Sequence, residues 1–374
     1  MVDGDREPVS IVAVGDTILD EPGAADFLAP TAPVVRSADV AIAQIETPFT
    51  DRGEVSVLEV AARAADPGEL AAFADAGFNV ATLAGNHVFD QGHPGIRDTL
   101  DVLHRSGIVT AGSGMNIAEA RRPALIERKG VRFGIVAYNT VGPRESWAGL
   151  DKPGAAYVRV LTHYELDIAV PGGPPKTYTF CDPDDLDLMA SQLEEMRSGC
   201  DVVVACFHKG TIGAPSVPLY YERQVTHHAI DAGADIVFAH HAHMLGPIEM
   251  YRSKPIFHGL GNYITATRLF SSGGDDHIEF IERVQREYGV ELDPAMPWYP
   301  FDHRSRNAII AKCTVENGRI EAGFVPCYID EQARPVPTGR SELGERVVDF
   351  VTGLNKSARL PAEFTWRGDE IVLP

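Results

Sequence analysis

Five apolar runs in this chain each end in a polar residue able to hold a cation. Ile11-Val12-Ala13-Val14 leads into Gly15-Asp16, Val40-Ala41-Ile42-Ala43 into Gln44-Ile45-Glu46, and Val80-Ala81-Thr82-Leu83 into Gly85-Asn86-His87. Val202-Val203-Val204-Ala205 leads into His208, and Ile236-Val237-Phe238-Ala239 into His240-His241-Ala242-His243. Short apolar runs of this kind suit strands covered on both faces. In α/β proteins ligands bind at the carboxyl ends of such strands. The pattern therefore predicts an α/β fold in which acid, amide and imidazole groups gather at one edge, where they can hold two divalent cations.

The alternation of strand-like and helix-like segments continues to about residue 265. Helices are predicted from Gly68 to Ala76, from Ile96 to His104, from the Asp182-Pro183-Asp184-Asp185 start to about Arg197, and from Tyr220 to Ala232. Residues 142–179 read as a loop with a short hairpin near the mouth of the site. From Arg268 to Ser305 the pattern breaks, with a brief acidic helix near 278–288 and then a Pro- and aromatic-rich stretch through Phe301. A long excursion of this kind is predicted to be a lid-like insertion. Residues 306–374 supply a hairpin turning at Asn317-Gly318, a helix from Leu343 to Leu354 and a last strand from Glu370 to Leu373. The whole of 1–374 is read as one domain.

The formal net charge is −20, which repels nucleic acid and anionic lipid surfaces. No apolar stretch is long enough to span a membrane, and the polar, acidic start lacks the features of a signal peptide. The expectation is a cytoplasmic protein without nucleic-acid partners, with a homo-oligomer left open. The five cysteines are odd in number and contain no Cys-x-x-Cys pair, which argues against a disulfide framework or a zinc knuckle.

Within the polar ends, Asp16 follows a glycine that permits a tight turn, and Glu46 offers a carboxylate able to bridge two cations. The Asn86 carbonyl is a hard ligand. His87 beside it can face substrate as a proton donor, with Asp90 three residues on to orient it. His241 and His243, two apart in extended backbone, point the same way and reach one site or two adjacent metals, while His240 points elsewhere. His208 adds an imidazole from a neighbouring strand. Mixed oxygen and nitrogen donors favour Mn²⁺, Fe or Zn²⁺ over Ca²⁺. Two such ions about 3.5–4 Å apart lower the pKa of a bridging water and clamp the reacting group. His258, Arg144 and Arg268 are candidates for substrate contact; His227-His228 sits inside a helix, where a packing role is expected.

These blocks resemble the CapA family of poly-γ-glutamate and capsule biosynthesis proteins, within the calcineurin-like metallophosphoesterase superfamily. The resemblance rests on Val14-Gly15-Asp16, Gln44-Ile45-Glu46-Thr47-Pro48, Ala84-Gly85-Asn86-His87-Val88-Phe89-Asp90-Gln91-Gly92 and His208-Lys209-Gly210. It continues through Gly233-Ala234-Asp235 to His240-His241-Ala242-His243, then Lys254-Pro255-Ile256-Phe257 and Gly259-Leu260-Gly261-Asn262-Tyr263. It implies a four-layer α/β/β/α sandwich with a dinuclear site, ligands at Asp16, Glu46, Asn86, His208, His241 and His243, and His87 as the acid. Ile18 stands where the wider superfamily has a histidine, which removes one ligand from the first metal. Gln44 stands in place of the common asparagine and Lys209 in place of an aromatic residue.

The function expected is a metal-dependent hydrolase acting on a phosphoester or amide of a small soluble or peptide-like substrate. One alternative is a γ-glutamyl or peptide-amide hydrolase or transferase of poly-γ-glutamate metabolism. Another is a non-catalytic binding or assembly protein that keeps the fold.

Overall fold

The computed structural model describes residues 7–57, 62–166, 168–213, 217–267, 282, 285–286, 293, 295–296 and 298–373. Two sheets carry the architecture. In the larger, the strand order is Thr365–Arg367, Glu370–Leu373, Arg319–Ile329, Asn307–Glu316, Val9–Leu19, Val40–Ile45, Val80–Thr82, Val109–Ala111. The last four run parallel, as strands joined by helical crossovers must. The C-terminal strands join antiparallel through Asn307–Glu316. The smaller sheet has the order Ile248–Tyr251, Lys254–Phe257, Ile236–His241, Val202–Lys209, Val131–Asn139, Ala124–Arg128, with its four central strands parallel.

The two-residue period of the strands divides the smaller sheet between two cores. Ile135, Ala137, Val204, Cys206, Ile236 and Phe238 pack into the core shared with the larger sheet. The intervening Val136, Tyr138, Val203, Ala205, Phe207 and Val237 meet Leu193 of the helix Pro183–Gly199 and Val225 of the helix Tyr220–Asp231. On the other side, Leu28, Val35 and Phe73 from short helices, and Val347 and Val351 from the helix Glu342–Ala358, close the core of the larger sheet. The layers run helix, sheet, sheet, helix: the apolar runs called for an α/β fold, and the family resemblance for this sandwich.

Local signals explain the ends of these elements. Asp182 accepts hydrogen bonds from the amides of Asp184 and Asp185 and so caps the helix that Pro183 opens. Asn317 and Gly318 both take positive φ, 50° and 74°, as a tight two-residue hairpin turn requires. The hairpin expected within 142–179 is a separate ribbon, Val160–Glu165 paired with Lys176–Cys181.

The first strand bulges between Ala13 and Asp16. There Asp16 N–H donates to Gly261 O at 2.8 Å, and a Cβ on residue 15 would fall 2.1 Å from that same oxygen. Gly15 is thus required by close approach, and the bulge re-aims the Asp16 side chain. Across the gap between sheets, His240 Nε2–H donates to Val14 O at 3.0 Å, which accounts for the imidazole that turns away from the cluster. Among the described residues no helix is long and apolar enough to cross a membrane. Arg268 and most of the expected acidic helix at 278–288 lie outside the described residues.

Candidate metal centre

Six side chains from the strand ends converge where the two sheets meet at their carboxyl edge. Asp16, Glu46, Asn86, His208, His241 and His243 are all buried. Glu46 lies at the middle. Its Oε1 is 3.5 Å from His208 Nε2 and 3.7 Å from His243 Nε2. His208 Nε2 is also 2.7 Å from Asn86 Oδ1 and 3.2 Å from His241 Nδ1. On the other side His243 Nδ1 is 3.6 Å from Asp16 Oδ2. Candidate ligand atoms of Glu46, His208 and His241 all lie within 4.8 Å of one another, and so do those of Asp16, Glu46 and His243. Glu46 belongs to both groups.

His241 and His243 reach the cluster by a route the sequence does not announce. Extended alternation would aim both the same way. Instead His241 has φ 89° and His243 φ 52°, both in the left-handed region. The strand Ile236–His241 therefore ends in a turn, and the two imidazoles enter different groups of candidate ligands that share Glu46. Backbone of this kind at non-glycine residues is strained and is retained only where surroundings hold it. The carboxylate of Asp16 does so, accepting the His241 N–H at 3.0 Å to Oδ2 and 3.3 Å to Oδ1.

The electrostatics suit a cation. Neither Glu46 oxygen has a hydrogen-bond partner, although both are buried. A buried carboxylate without donors costs several kcal/mol unless a positive charge meets it. Burial, and then repulsion from Glu46, raises the Asp16 carboxyl well above the usual carboxylate range against the opposing His241 amide. Burial pushes His208 and His241 well below the ordinary imidazole value and lowers His243 as well. Neutral imidazoles keep the lone pair that a metal needs. The mix of nitrogen and oxygen donors suits a divalent cation.

His87 stands at the rim, its side chain about one-fifth exposed, with Nδ1 2.6 Å from Asp90 Oδ2. Asp90 is anchored in turn, accepting the Ala62 N–H on the same oxygen. The other candidates are placed differently. His258 is buried with Nε2 turned 2.8 Å to Glu249 Oε2, and the same carboxylate takes His227 Nε2 at 3.0 Å. Arg144 is exposed, its guanidinium 5.8 Å from the Trp147 ring centre.

Three residues at the site carried no role in the sequence reading. Asn262 Oδ1 lies 2.9 Å from His243 Nδ1, and its amide donates to Tyr299 OH at 2.9 Å. The Phe301 ring sits 4.2 Å from the His243 ring. Asn262 had a signal, since it stands in the Gly-Leu-Gly-Asn-Tyr block after a strand. Tyr299 and Phe301 belong to the excursion that was expected to be lid-like; Phe301 packs its ring against His243, and Tyr299 bonds Asn262 and Ser305.

A two-sheet α/β sandwich with an acid–amide–imidazole cluster between its strand ends defines the class. Residues 10–267 match the family described as bacterial capsule synthesis protein PGA_cap, and the chain belongs to that family. A probable polyglutamine synthesis accessory protein of Mycobacterium tuberculosis, Rv0574c, is 31% identical over 265 residues, covering 69% of this chain and 63% of the relative. The PGA biosynthesis protein CapA of Bacillus subtilis is 24% identical over 251 residues, covering 67% of this chain and 59% of CapA. The chain thus spans less than two thirds of the length of either relative. Among solved structures, the calcineurin-like phosphoesterase YfkN of Bacillus subtilis overlaps 94% of this chain and 99% of its own at 13% identity, with a TM-score of 0.40. An overlap that loose carries no chemistry by itself.

Proposed function

We propose that this chain is a metal-dependent hydrolase whose two divalent cations are held by Asp16, Glu46, Asn86, His208, His241 and His243. The observation that carries the reading is Glu46: a buried carboxylate, both oxygens unpartnered, shared by two groups of candidate ligands. Asp16 and His243 would serve one ion, and Asn86, His208 and His241 the other. Bound there, the pair would activate water and polarise the scissile phosphoester or amide.

The protein's own residues supply the rest. Asp16 fixes the His241 backbone and so the spacing of the two imidazoles. Asn262 orients His243 through Nδ1, the outer contact that ligating histidines ordinarily keep. Phe301 shields that ring from water. His87, held by Asp90 at the rim, is placed to give a proton to the leaving group. The family and the names of the relatives support a substrate connected with capsule or poly-glutamate synthesis, of phosphoester or γ-glutamyl amide type. A panel of phosphomonoester, phosphodiester and γ-glutamyl substrates with added Mn²⁺ tests this. Turnover abolished by chelator and restored by metal is the outcome expected; no metal-stimulated turnover on any of them counts against catalysis.

A second reading, an accessory protein that keeps the fold and one metal, is favoured by Ile18. It stands at the missing histidine position, pairs with Thr265 and leaves the Asp16 side with fewer donors. Metal analysis separates the readings: about two equivalents per chain for the first, one or none for the second.

A further inference from the structure

One strand position deeper than Glu46, a second set of buried polar atoms has no partner. Gln44 lies in the strand Val40–Ile45, two residues before Glu46, which stands just past the strand end. Its side chain is buried, and neither Oε1 nor Nε2 meets a hydrogen-bond partner. His208 presents a matching gap. Its Nε2 faces the cluster, while Nδ1 is buried and also without a partner. Buried polar groups are almost always satisfied, by protein or by ordered water, so three such atoms side by side require an explanation.

The space between them supplies it. A cavity of about 10 Å³ is bordered by Gln44, His208, Thr82, Ala84, Cys206 and His240. Gly85 marks the same place from outside: a Cβ there would lie 3.3 Å from Gln44 Nε2 and 3.7 Å from His208 Cε1. The volume suits one water and no larger guest. A water needs at least two polar partners, and the amide and the imidazole provide them.

We propose that this cavity binds a single water joining His208 Nδ1 to the Gln44 amide, which makes Gln44 a positioning residue for that imidazole. The water accepts from Nδ1–H and donates to Gln44 Oε1. That arrangement fixes the tautomer whose bare Nε2 lone pair points at Glu46 and Asn86. Histidine ligands are ordinarily oriented through their second nitrogen in this manner. An amide suits the role better than a carboxylate would, because it adds no further negative charge beside Asp16 and Glu46. The positioning role rests on the metal reading above; the water itself does not.

The test has a metal-free arm and a metal-bound arm. A high-resolution crystal structure of the chelator-treated protein should show one ordered water between Gln44 and His208. The Gln44→Leu variant should show none. In the second arm, Zn²⁺ affinity measured by calorimetry should fall by roughly 10–100-fold in Gln44→Leu. It should largely recover in Gln44→Asn, which keeps the amide and guards against a folding defect in the leucine variant. In the Zn²⁺-loaded wild type, a slowly exchanging His208 Nδ1–H proton resonance should be visible by NMR and should shift in Gln44→Leu. A dry cavity in the wild type overturns the proposal. Unchanged Zn²⁺ affinity and an unmoved resonance in a folded Gln44→Leu protein overturn the positioning role. If the wild type binds no Zn²⁺ yet holds the water, the metal reading and the positioning role fall together, while the water site stands.

Discussion

The Asp16 carboxylate accepts the backbone N–H of His241 at 3.0 Å, so the first strand of one sheet holds the last residue of a strand in the other. The contact serves two ends. It stabilises a residue whose φ of 89° no L side chain adopts readily, and it sets the distance between the two halves of the cluster. Geometry of this sort is retained where function requires it, because a glycine would relieve the strain at once.

That contrast gives a measurable outcome. His241→Gly and His241→Ala both delete the imidazole, but only glycine accepts φ 89° without strain. In chelator, the glycine variant should be more stable than the alanine variant by about 1 kcal/mol. Denaturant unfolding of both proteins checks it. Equal midpoints and slopes would show that the backbone at 241 is unstrained.

Glu46→Gln separates the requirements of folding from those of metal binding. The buried carboxylate has no donor to either oxygen, so its neutral isostere should raise the stability of the metal-free protein by about 1–3 kcal/mol. The same change removes the group shared by both candidate sites and should lower bound metal below one equivalent. Thermal melts with chelator and elemental analysis after metal loading read the two effects separately. A variant that melts lower without metal, or keeps two equivalents, contradicts the bridging role.

The strands and their polar ends were legible in the sequence because both depend on short-range patterns. The five apolar runs became central strands, and Asn317-Gly318 turned a hairpin with Glu316 opposite Arg319. The convergence at Glu46 follows from parallel strands ending at one edge. Three features were not legible. Left-handed backbone at His241 and His243 leaves no mark in residue types that rarely adopt it. Tyr299 and Phe301 sit in a Pro-rich stretch without periodicity, and their contacts with Asn262 and His243 depend on tertiary packing alone. His258 lies after a strand as the ligands do, but its imidazole is bound by Glu249, nine positions earlier in the chain, a pairing set by the antiparallel neighbour of that strand.

Stability should depend on pH through two buried histidines outside the two groups of candidate ligands. Burial lowers His240 and His258 from 6.5 to about 4. Between those values the unfolded chain binds protons that the folded chain refuses, so stability rises with pH across the window and is lost as pH falls through it. Each imidazole contributes on the order of 3 kcal/mol. Glu249 acts in the same sense at lower pH. Burial opposes its ionisation, but hydrogen bonds from His227 and His258 prevail and bring it from 4.5 to about 2. Its contribution is present above 4.5 and lost as pH falls toward 2. Urea unfolding of the chelator-treated protein from pH 7 to pH 4 should show the loss, and His258→Gln should reduce the slope between 6.5 and 4. A flat profile across that interval contradicts the assignment.

His87 and Asp90 offer the cleanest separation of proton transfer from metal binding. His87 Nδ1 is bound to Asp90 Oδ2 at 2.6 Å, and neither residue belongs to the two groups of candidate ligands. His87→Gln should therefore leave metal content unchanged and reduce turnover by about 10²–10⁴-fold, the usual worth of a positioned general acid. Asp90→Asn keeps the shape but removes the charge that orients the ring, and it should cost less, roughly 10-fold or more. The loss should fall on kcat rather than KM, and it should shrink for substrates whose leaving groups need no proton. Turnover of such an activated substrate in His87→Gln, compared with an unactivated one and normalised to bound metal, decides the matter. An equal loss on both substrates would place His87 in binding rather than in proton transfer.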